Sequence, residues 1–227
     1  MCIRDSDYPG KIASIFFLGG CNFRCPFCHN VSLIDGYDSV DCKNNEAVLE
    51  DLKKRKGFID GVVITGGEPL INGNELITLL SKLREMDLSI KIDTNGYNTD
   101  MLRMILAAEL VDYVAMDIKT SIDRYNVAVG LELNKDRILN SIKVILESPM
   151  EHEFRTTCVP GLVDSVEIES ISRLIEGAAS YYLQQYRVEE PTLDLSYMKL
   201  SPYPVEKLES FVTIAQKFVN SVSIRGL

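Results

Sequence analysis

Short apolar runs rich in Val and Ile alternate with longer stretches of helical period along most of the chain. The apolar runs are bounded by turn residues and have the length of strands. Six of them are predicted strands, at residues 11–18, 60–67, 88–96, 112–120, 153–161 and 180–188, and the closing run "VSIRG" can form a seventh. Strands that alternate with helices are typical of βα units and a parallel sheet.

The stretches between the strands place apolar side chains on one face of a helix. The clearest spans about residues 74–86 and has leucines at the i, i+3, i+4 and i+7 positions, namely Leu76, Leu79, Leu80 and Leu83. That spacing gives an apolar stripe that can cover a sheet. Further helices are predicted near residues 45–56, 99–109, 134–147, 166–177 and 205–219.

This periodicity fits two α/β folds, an open doubly wound sheet and an incomplete barrel, and it does not separate them. Both folds place their chemistry at the carboxyl ends of the parallel strands. The unusual residues of the chain lie there: a cysteine-rich loop follows the first strand and "TGGEP" the second, while "DTNG", "DIKT" and "CVPG" close the next three.

The composition and net charge of the chain indicate which classes of partner to expect. The chain has 227 residues, is 46% hydrophobic and has a formal net charge of -9. This length and hydrophobic share fit one core, so we expect a single domain over residues 7–227. Surfaces that bind nucleic acid or anionic membranes are rich in Lys and Arg. We therefore expect neither a nucleic-acid partner nor a membrane partner.

The expected cellular compartment affects whether the cysteines are interpreted as disulfides or as metal-binding or catalytic residues. No apolar run reaches the about 18 residues of a spanning helix, and no export leader is recognisable, so we expect a cytoplasmic location. The opening "MCIRDS", residues 1–6, is interpreted as a possible non-native leader, and Cys2 is given no role. In the cytoplasm, clustered cysteines bind metal or act in catalysis more often than they form disulfides.

The segment "CNFRCPFCHN", residues 21–30, brings Cys21, Cys25 and Cys28 into eight positions. Its "CPFCH" part matches a pattern for covalent haem attachment, but that chemistry normally follows export. A structural zinc ion needs four ligands, and His29 directly follows Cys28, where adjacent side chains rarely converge on one ion. A redox dithiol or inert core cysteines are further alternatives.

An iron–sulfur cluster is the remaining alternative. A [4Fe–4S] cluster takes one thiolate for each iron, so three cysteines leave one iron open, and an open position usually marks a catalytic metal. Phe23 and Phe27 would exclude water from the sulfurs. Cys42, in a polar stretch, and Cys158, in an apolar strand, are expected to be incidental.

The C-x-x-x-C-x-x-C spacing, with the aromatic Phe27 before the third cysteine, resembles the signature of radical S-adenosylmethionine (SAM) enzymes. That resemblance implies one [4Fe–4S] cluster, held by Cys21, Cys25 and Cys28, whose open iron is chelated by the amino and carboxylate groups of SAM. It also implies an incomplete (β/α)6 TIM-like barrel of parallel strands.

The glycine turn after the second strand is similar to another site of the same family. "GGEP", residues 66–69, resembles the place where the SAM amino group binds. Gly66 and Gly67 permit close approach of the backbone, and Glu68 offers an acceptor to an ammonium group. The alternative is a Gly-rich turn with an exposed carboxylate.

Polar side chains also share faces at the ends of the next two strands. Asp93 and Asn95 lie on one face of the third strand, and Asp117 and Lys119 lie on one face of the fourth. All four would point into one pocket if both strand ends line it. The alternative is that Asp117 and Lys119 merely form an ion pair at a strand end.

Glycyl-radical activating enzymes have matching segments that also read "DTNG" and D-x-K. The resemblance implies that Asp93 and Thr94 lie near the methionine moiety of SAM or a bound cation, with Asn95 beside them. Lys119 would pair with the SAM carboxylate. Arg155 resembles a basic family residue near the same pocket, although a structural arginine is an open alternative.

The stretch "DYPGKIASIFFLGGCNFRCPFCHN", residues 7–30, is similar to the activase signature, in which an Asn, here Asn30, follows Cys-His. It departs from the commonest form at Tyr8, where that form has Gly, and at Lys11, which is not immediately followed by an arginine. Together with "MDIKT" and "FRTTCVPG", it most resembles the anaerobic ribonucleoside-triphosphate reductase activating proteins. The resemblance covers roughly residues 7–189.

This resemblance implies an enzyme that cleaves SAM reductively and generates a glycyl radical on a partner enzyme, with a flavodoxin- or ferredoxin-type electron donor. The partner it implies is anaerobic ribonucleoside-triphosphate reductase. Alternatives are activation of pyruvate formate-lyase, or a small-molecule reaction of the 7-carboxy-7-deazaguanine synthase type. A non-catalytic iron–sulfur carrier or zinc-binding module is a different class, and it leaves "GGEP" and "DIKT" unexplained.

Overall fold

In a computed structural model of the chain, residues 7–34, 44–188 and 191–227 are described. One parallel sheet of seven strands forms the centre. The strands are β1 (Ala13–Leu18), β2 (Gly61–Gly66), β3 (Ser89–Thr94), β4 (Tyr113–Asp117), β5 (Glu151–Cys158), β6 (Ser180–Gln185) and β7 (Ser221–Arg225). Within the described ranges each strand pairs with the next along the chain, which leaves β1 and β7 as the two edges.

The strand order separates the two folds that periodicity left open. A doubly wound sheet reverses its strand order at a switch point, whereas every crossover here leads in the same direction across the sheet. The prediction of an incomplete parallel barrel is therefore confirmed. The run "VSIRG" is a full strand, β7, which pairs with β6 from Ser180 and Ser221 to Gln184 and Arg225. The sheet thus has one strand more than the six-stranded form expected from the resemblance.

All six predicted helices are present, with ends that differ by a few residues from the prediction. The helices are α1 (Val31–Ile34), α2 (Asn45–Lys54), α3 (Gly73–Arg84), α4 (Thr99–Ala107), α5 (Tyr125–Val129), α6 (Lys135–Glu147), α7 (Ser165–Leu174) and α8 (Val205–Ala215). Sequence analysis missed α1 and α5 because one or two helical turns are too short to show an apolar period. Of the helices in the described ranges, none is long and apolar enough to cross a membrane.

Some expectations lie outside the described residues. The possible leader at residues 1–6, with Cys2, is one of them, and Cys42 is another. The single-domain expectation for residues 7–227 stays a prediction.

The sheet has an apolar outer face and a mixed inner face. The helices cover the outer face, where Ile64, Leu80 and Ile92 are fully buried in the main hydrophobic core. The inner face has a smaller apolar cluster, composed of Tyr8, Ala13, Ile15, Val63 and Tyr113. Charged side chains occupy the rest of the inner face, on β3, β4 and β5.

Glu153 of β5 is fully buried at the centre of this charged region. Its carboxylate accepts hydrogen bonds from Lys91 Nζ on β3 (3.2 Å), Tyr113 Oη on β4 (3.0 Å) and both Nη atoms of Arg225 on β7 (2.8 and 3.0 Å). Burial opposes ionisation of Glu153, but these donors hold its pKa below the usual value. Because a buried charge is costly when its partner is missing, the network links the strands from which its members come.

Helix α5 has one valine on each side and allows a matched test of this packing. Val129 is fully buried, whereas Val127 is 59% exposed. Val129→Ala should lower the free energy of unfolding by about 2 kcal/mol, because it removes two buried carbon atoms and leaves a cavity. Val127→Ala should change it by less than about 0.5 kcal/mol. Urea denaturation measures both, and equal losses would contradict the packing of α5.

Candidate cofactor site

A cavity of about 330 Å³ lies at the carboxyl edge of the sheet. Its wall is formed by the cysteine loop after β1 and by the ends of β2 to β5. Every residue that the sequence predicts for the site lines this cavity: Cys21, Cys25, Phe27, Cys28, Asn30, Gly66, Gly67, Glu68, Asp93, Thr94, Asn95, Lys119 and Arg155. The structure thus brings together side chains that are up to 134 positions apart in the sequence, from Cys21 to Arg155.

The cysteine loop is held from both sides by the two short helices. The Gly20 and Cys21 amides donate to the carbonyl oxygens of Leu33 and Ile34 in α1, at 2.7 and 3.1 Å. The Arg24 amide donates to the carbonyl oxygen of Val129, the last residue of α5, at 2.9 Å. These backbone contacts fix the position of the loop relative to α1 and α5.

The thiols of Cys21, Cys25 and Cys28 are free, and all three residues line the cavity. Cys25 is buried, and Cys21 and Cys28 are partly buried. Burial raises the pKa of the Cys25 thiol to about 12 and also raises that of Cys21, so these thiols ionise only when a cation compensates the thiolate charge. Among the described residues, no three His, Cys, Asp or Glu side chains are placed to hold a single metal ion. A [4Fe–4S] cluster differs from a single-ion site because each thiolate binds a different iron.

The other candidate ligands do not reach the cavity. The His29 ring packs against Tyr186, with 5.9 Å between ring centroids, and His29 does not line the cavity. Cys158 is fully buried in β5, also outside the cavity wall. The His29 and Cys158 side chains thus take part in the packing around the cavity.

A segment near the carboxyl end covers the cysteine loop from outside. The Leu193 amide donates to the carbonyl oxygen of Cys28 (3.1 Å), and the Asp194 amide donates to that of Pro26 (2.9 Å). The Tyr197 ring lies 6.3 Å from the Phe27 ring. Sequence analysis gave this segment no role, because hydrogen bonds between main-chain groups leave no residue pattern.

The glycine turn after β2 lies directly against the chain between β1 and the cysteines. The Gly67 amide donates to the Leu18 carbonyl oxygen (2.9 Å), and the Glu68 amide donates to the Gly20 carbonyl oxygen (2.8 Å). A Cβ atom at Gly66 would overlap the Leu18 backbone, and one at Gly67 would overlap the Gly20 carbonyl oxygen. Both glycines are therefore required by this close approach.

Glu68 differs from one of the two sequence-based expectations. It is 1% exposed, so the alternative of an exposed carboxylate is wrong. Its Oε1 accepts hydrogen bonds from the Leu70 amide (3.0 Å) and Thr94 Oγ1 (2.7 Å), and its Oε2 accepts one from the Asn95 amide (2.6 Å). A carboxylate has about four acceptor positions, so about one remains for an ammonium group. Glu68 is first a link between the glycine turn and the end of β3.

Burial also changes the acidity of Glu68. It raises the pKa of this carboxyl to about 7, although the hydrogen bonds from Asn95, Thr94 and Leu70 favour the ionised form. A positive charge placed beside Glu68 would favour ionisation further.

Arg155 connects the ends of three strands on the cavity floor. Its Nε donates to Asp117 Oδ1 (2.7 Å), and its Nη1 donates to Asp93 Oδ2 (2.9 Å). Lys119 Nζ lies 3.1 Å from Asp117 Oδ2. Burial opposes ionisation of Asp117, but the charges of Arg155 and Lys119 hold its pKa well below the usual value. The ion pair that the sequence suggests between Asp117 and Lys119 is therefore present. Both of its side chains also line the cavity.

Asp93 carries an acceptor that the described residues leave open. Its Oδ1 is buried and has no hydrogen-bond partner among them, and Lys91 Nζ lies 3.4 Å away as an ion pair. Buried acceptors of this kind are rare in proteins and indicate a ligand, an ion or a water. This atom fits a group that brings its own donor or cation into the cavity.

Comparison with known proteins agrees with this arrangement. A family model described as the radical SAM superfamily matches residues 15–174.

The chain belongs to the radical SAM superfamily.

Its relatives include activating enzymes. A Methanocaldococcus jannaschii protein named as a glycyl-radical enzyme activating enzyme is 32% identical over 226 residues, which are 97% of this chain and 92% of the relative. The pyruvate formate-lyase-activating enzyme of Clostridium pasteurianum is 31% identical over 178 residues, which are 75% of this chain and 71% of the relative.

Solved structures share the fold. Streptococcus suis SuiB bound to S-adenosylmethionine superposes on 94% of this chain with a TM-score of 0.72 at 18% identity, and the chain spans 50% of the length of SuiB. This likeness shows the radical SAM fold alone. Together with the family match, the relatives make the chain a radical SAM enzyme of the glycyl-radical activating type, whose cofactors are a [4Fe–4S] cluster and SAM.

The residues present fit those cofactors. Three free thiols share one cavity wall, which matches the thiolate set of a cluster with one open iron. The glycine turn, Glu68 and Asp93 line the same cavity. Which of these residues contact SAM stays a prediction.

Substitution at the glycine turn tests this close approach. In Gly67→Ala the new methyl group would overlap the Gly20 carbonyl oxygen, so the turn must move away from the cysteine loop. SAM affinity should weaken by about tenfold or more, equivalent to about 1.4 kcal/mol. Calorimetric titration of SAM into the reconstituted enzyme measures this change.

Gly161→Ala is the matched control. Gly161 has a φ of +84° with nothing within 4 Å of its added Cβ, so the variant meets backbone strain without overlap. It should lose about 1 kcal/mol of stability and keep its SAM affinity. Unchanged affinity in Gly67→Ala, or an equal loss in both variants, would contradict the role of this turn.

Proposed function

We propose that this enzyme generates a glycyl radical on a partner protein, and that the partner is anaerobic ribonucleoside-triphosphate reductase. One observation carries the proposal: three free thiols, the glycine turn and the charged ends of β3, β4 and β5 line a single cavity. An external one-electron donor of the flavodoxin or ferredoxin type is part of the proposal. We place the reaction in the cytoplasm, away from nucleic acid and membranes.

The cysteine loop would hold the cluster through Cys21, Cys25 and Cys28. Bound there, the cluster and SAM would supply one-electron chemistry that breaks a carbon–sulfur bond of SAM and gives a hydrogen-abstracting radical. The loop contributes the fixed position of the three thiolates and a cover of aromatic rings, because Phe23 and Phe27 are both buried against it. Exclusion of water from this wall protects the reactive group.

The strand ends would orient SAM. The open acceptor position of Glu68, with the backbone of Gly66 and Gly67 beside it, suits the amino group. Lys119 suits the carboxylate, which would take over part of the contact that Asp117 now makes. Asp117 would keep its stronger partner, since Arg155 Nε remains 2.7 Å away. Asp93, Thr94 and Asn95 complete this side of the cavity.

The protein partner is supported by the openness of the barrel. In the described part of the chain, β1 and β7 each pair on one side only, so a protein segment can approach between these edges. The assignment to ribonucleoside-triphosphate reductase rests on the resemblance of "MDIKT" and "FRTTCVPG". Pyruvate formate-lyase is the second candidate partner, favoured by the 31% identity to an enzyme named for that activation.

Removal of one thiol tests the cluster assignment. Anaerobically reconstituted enzyme should hold about four irons per chain. With dithionite it should convert SAM to 5′-deoxyadenosine. Cys25→Ala should lose most of the iron and the cleavage activity, since two cluster corners would then lack a protein ligand. Cys158→Ala is the control, because Cys158 is buried outside the cavity. Cleavage retained in Cys25→Ala would falsify the assignment.

The choice of partner is tested with two protein substrates. Reduced enzyme with SAM is mixed anaerobically with ribonucleoside-triphosphate reductase or with pyruvate formate-lyase from the same source. The expected result is a glycyl EPR doublet on the reductase and none on the lyase. A doublet on the lyase alone would transfer the proposal to that partner, and a doublet on neither would reject the protein substrate.

A further inference from the structure

Asn22 lies in the cysteine loop, between Cys21 and Phe23, and sequence analysis gave it no role. Its side-chain Oδ1 accepts a hydrogen bond from Asn95 Nδ2 at 2.8 Å. The two residues are 73 positions apart, so this bond joins the loop after β1 to the segment after β3. It is a direct side-chain link between the loop of the predicted cluster ligands and the predicted SAM pocket.

Asn95 is held at three points. Its main-chain amide donates to Glu68 Oε2 at 2.6 Å, and its side-chain Oδ1 accepts a hydrogen bond from the Tyr97 amide at 3.0 Å. Its Nδ2 donates to Asn22, which takes one of the two N–H groups of that nitrogen. Because Oδ1 meets a donor and Nδ2 meets an acceptor, these contacts fix which way round the side-chain amide lies.

The two asparagines have different positions relative to the cofactor cavity. Asn95 is 6% exposed and lines the cavity. Asn22 itself does not line it. Asn22 can therefore affect a ligand in the cavity only through the residues whose position it sets.

The glycine turn completes a closed ring of contacts around Asn95. The Glu68 amide donates to the carbonyl oxygen of Gly20, one residue before Cys21, and the Glu68 carboxylate accepts from the Asn95 amide. The bond from Asn95 back to Asn22 closes the ring. Each of the three segments is thus held at two points, which fixes their relative positions more tightly than an open chain of contacts. Residues behind the direct ligands of a metal site orient those ligands in this way.

An aromatic contact lies beside the polar one. The Phe23 ring packs against the Tyr97 ring, with 5.7 Å between their centroids, and Phe23 is 2% exposed. Tilted ring pairs at this separation are favourable. Phe23 therefore keeps the loop near the end of β3 without Asn22, and the hydrogen bond of Asn22 adds direction to that contact.

We propose that Asn22 is a positioning residue for SAM. By holding the Asn95 side chain, it aligns the cysteine loop with the pocket formed by Glu68 and the end of β3, so that one ligand can contact both. This inference rests on the site assignment in the proposed function, in which the three cysteines hold the cluster and the strand ends orient SAM. A role in holding the loop alone is the competing explanation.

Removal of the acceptor is the first test. Asn22→Ala leaves Asn95 Nδ2 without this partner, and SAM affinity should weaken by about five- to tenfold. The variant should still hold about four irons per chain, because Phe23 and the main-chain contacts from α1 and α5 keep the loop in place. Calorimetric titration of SAM into the anaerobically reconstituted enzyme measures the affinity, and iron analysis of the same sample measures the cluster.

Two further measurements separate positioning from a general loss of structure. Asn22→Asp keeps an oxygen acceptor on a side chain of the same length, so it should bind SAM within about twofold of the unaltered enzyme. In a double-mutant cycle, Asn22→Ala should cost less than about twofold when Asn95 is already alanine, because the residue through which it acts is gone. Where Asn95→Ala binds SAM too weakly to titrate, the Asp variant alone decides.

Asn220→Ala is the matched control. Asn220 is exposed at the amino end of β7, and its Nδ2 donates to the Gly177 carbonyl oxygen at 3.3 Å. This variant loses one asparagine hydrogen bond at the opposite edge of the sheet and should keep the full SAM affinity.

Several results would overturn the inference. They are unchanged SAM affinity in Asn22→Ala, an equal loss in Asn220→Ala, an Asp variant as weak as the Ala variant, and loss of iron in Asn22→Ala, which would assign Asn22 to the loop alone. An unaltered enzyme that holds no cluster or binds no SAM would instead reject the proposed function, so the two failures are distinct.

Discussion

The structure depends on charged groups that are buried inside the incomplete barrel and can be stable there only as a connected set. Lys91 Nζ lies between Glu153 (3.2 Å) and Asp93 (3.4 Å), and Arg155 lies between Asp93 and Asp117. Breaking such a pair leaves an uncompensated charge away from water, at a cost of about 3–5 kcal/mol. A slip of one residue in any of these strands would move its charge to the apolar outer face. The network therefore fixes the register of β3, β4 and β5, and with it the floor of the site.

The cysteine loop is positioned by main-chain contacts from elements that are far apart in the sequence. Helices α1 and α5 hold the loop from within, and the segment around Leu193 covers it from outside. Glu68 adds a side-chain link from the glycine turn to β3. The position of the cysteine loop is thus set by contacts within the fold itself.

The same charged interior also borders a second cavity, of about 370 Å³, beside the cofactor cavity. Arg155 faces both cavities, and Glu153, two residues earlier on the same face of β5, holds Arg225 at the second one.

The sequence by itself determined the βα alternation, the cysteine spacing and the polar residues at the strand ends, because these are local patterns with a fixed period. The rule that parallel strands carry chemistry at their carboxyl ends was enough to bring Cys21, Glu68 and Arg155 to one edge. Only the tertiary structure decided the strand order, which made the fold a barrel, and the burial of Glu68 as a link between strands. It also placed the segment around Leu193 on the cysteine loop and formed the second cavity. These features arise from main-chain hydrogen bonds and long-range packing, which no residue pattern in the sequence specifies.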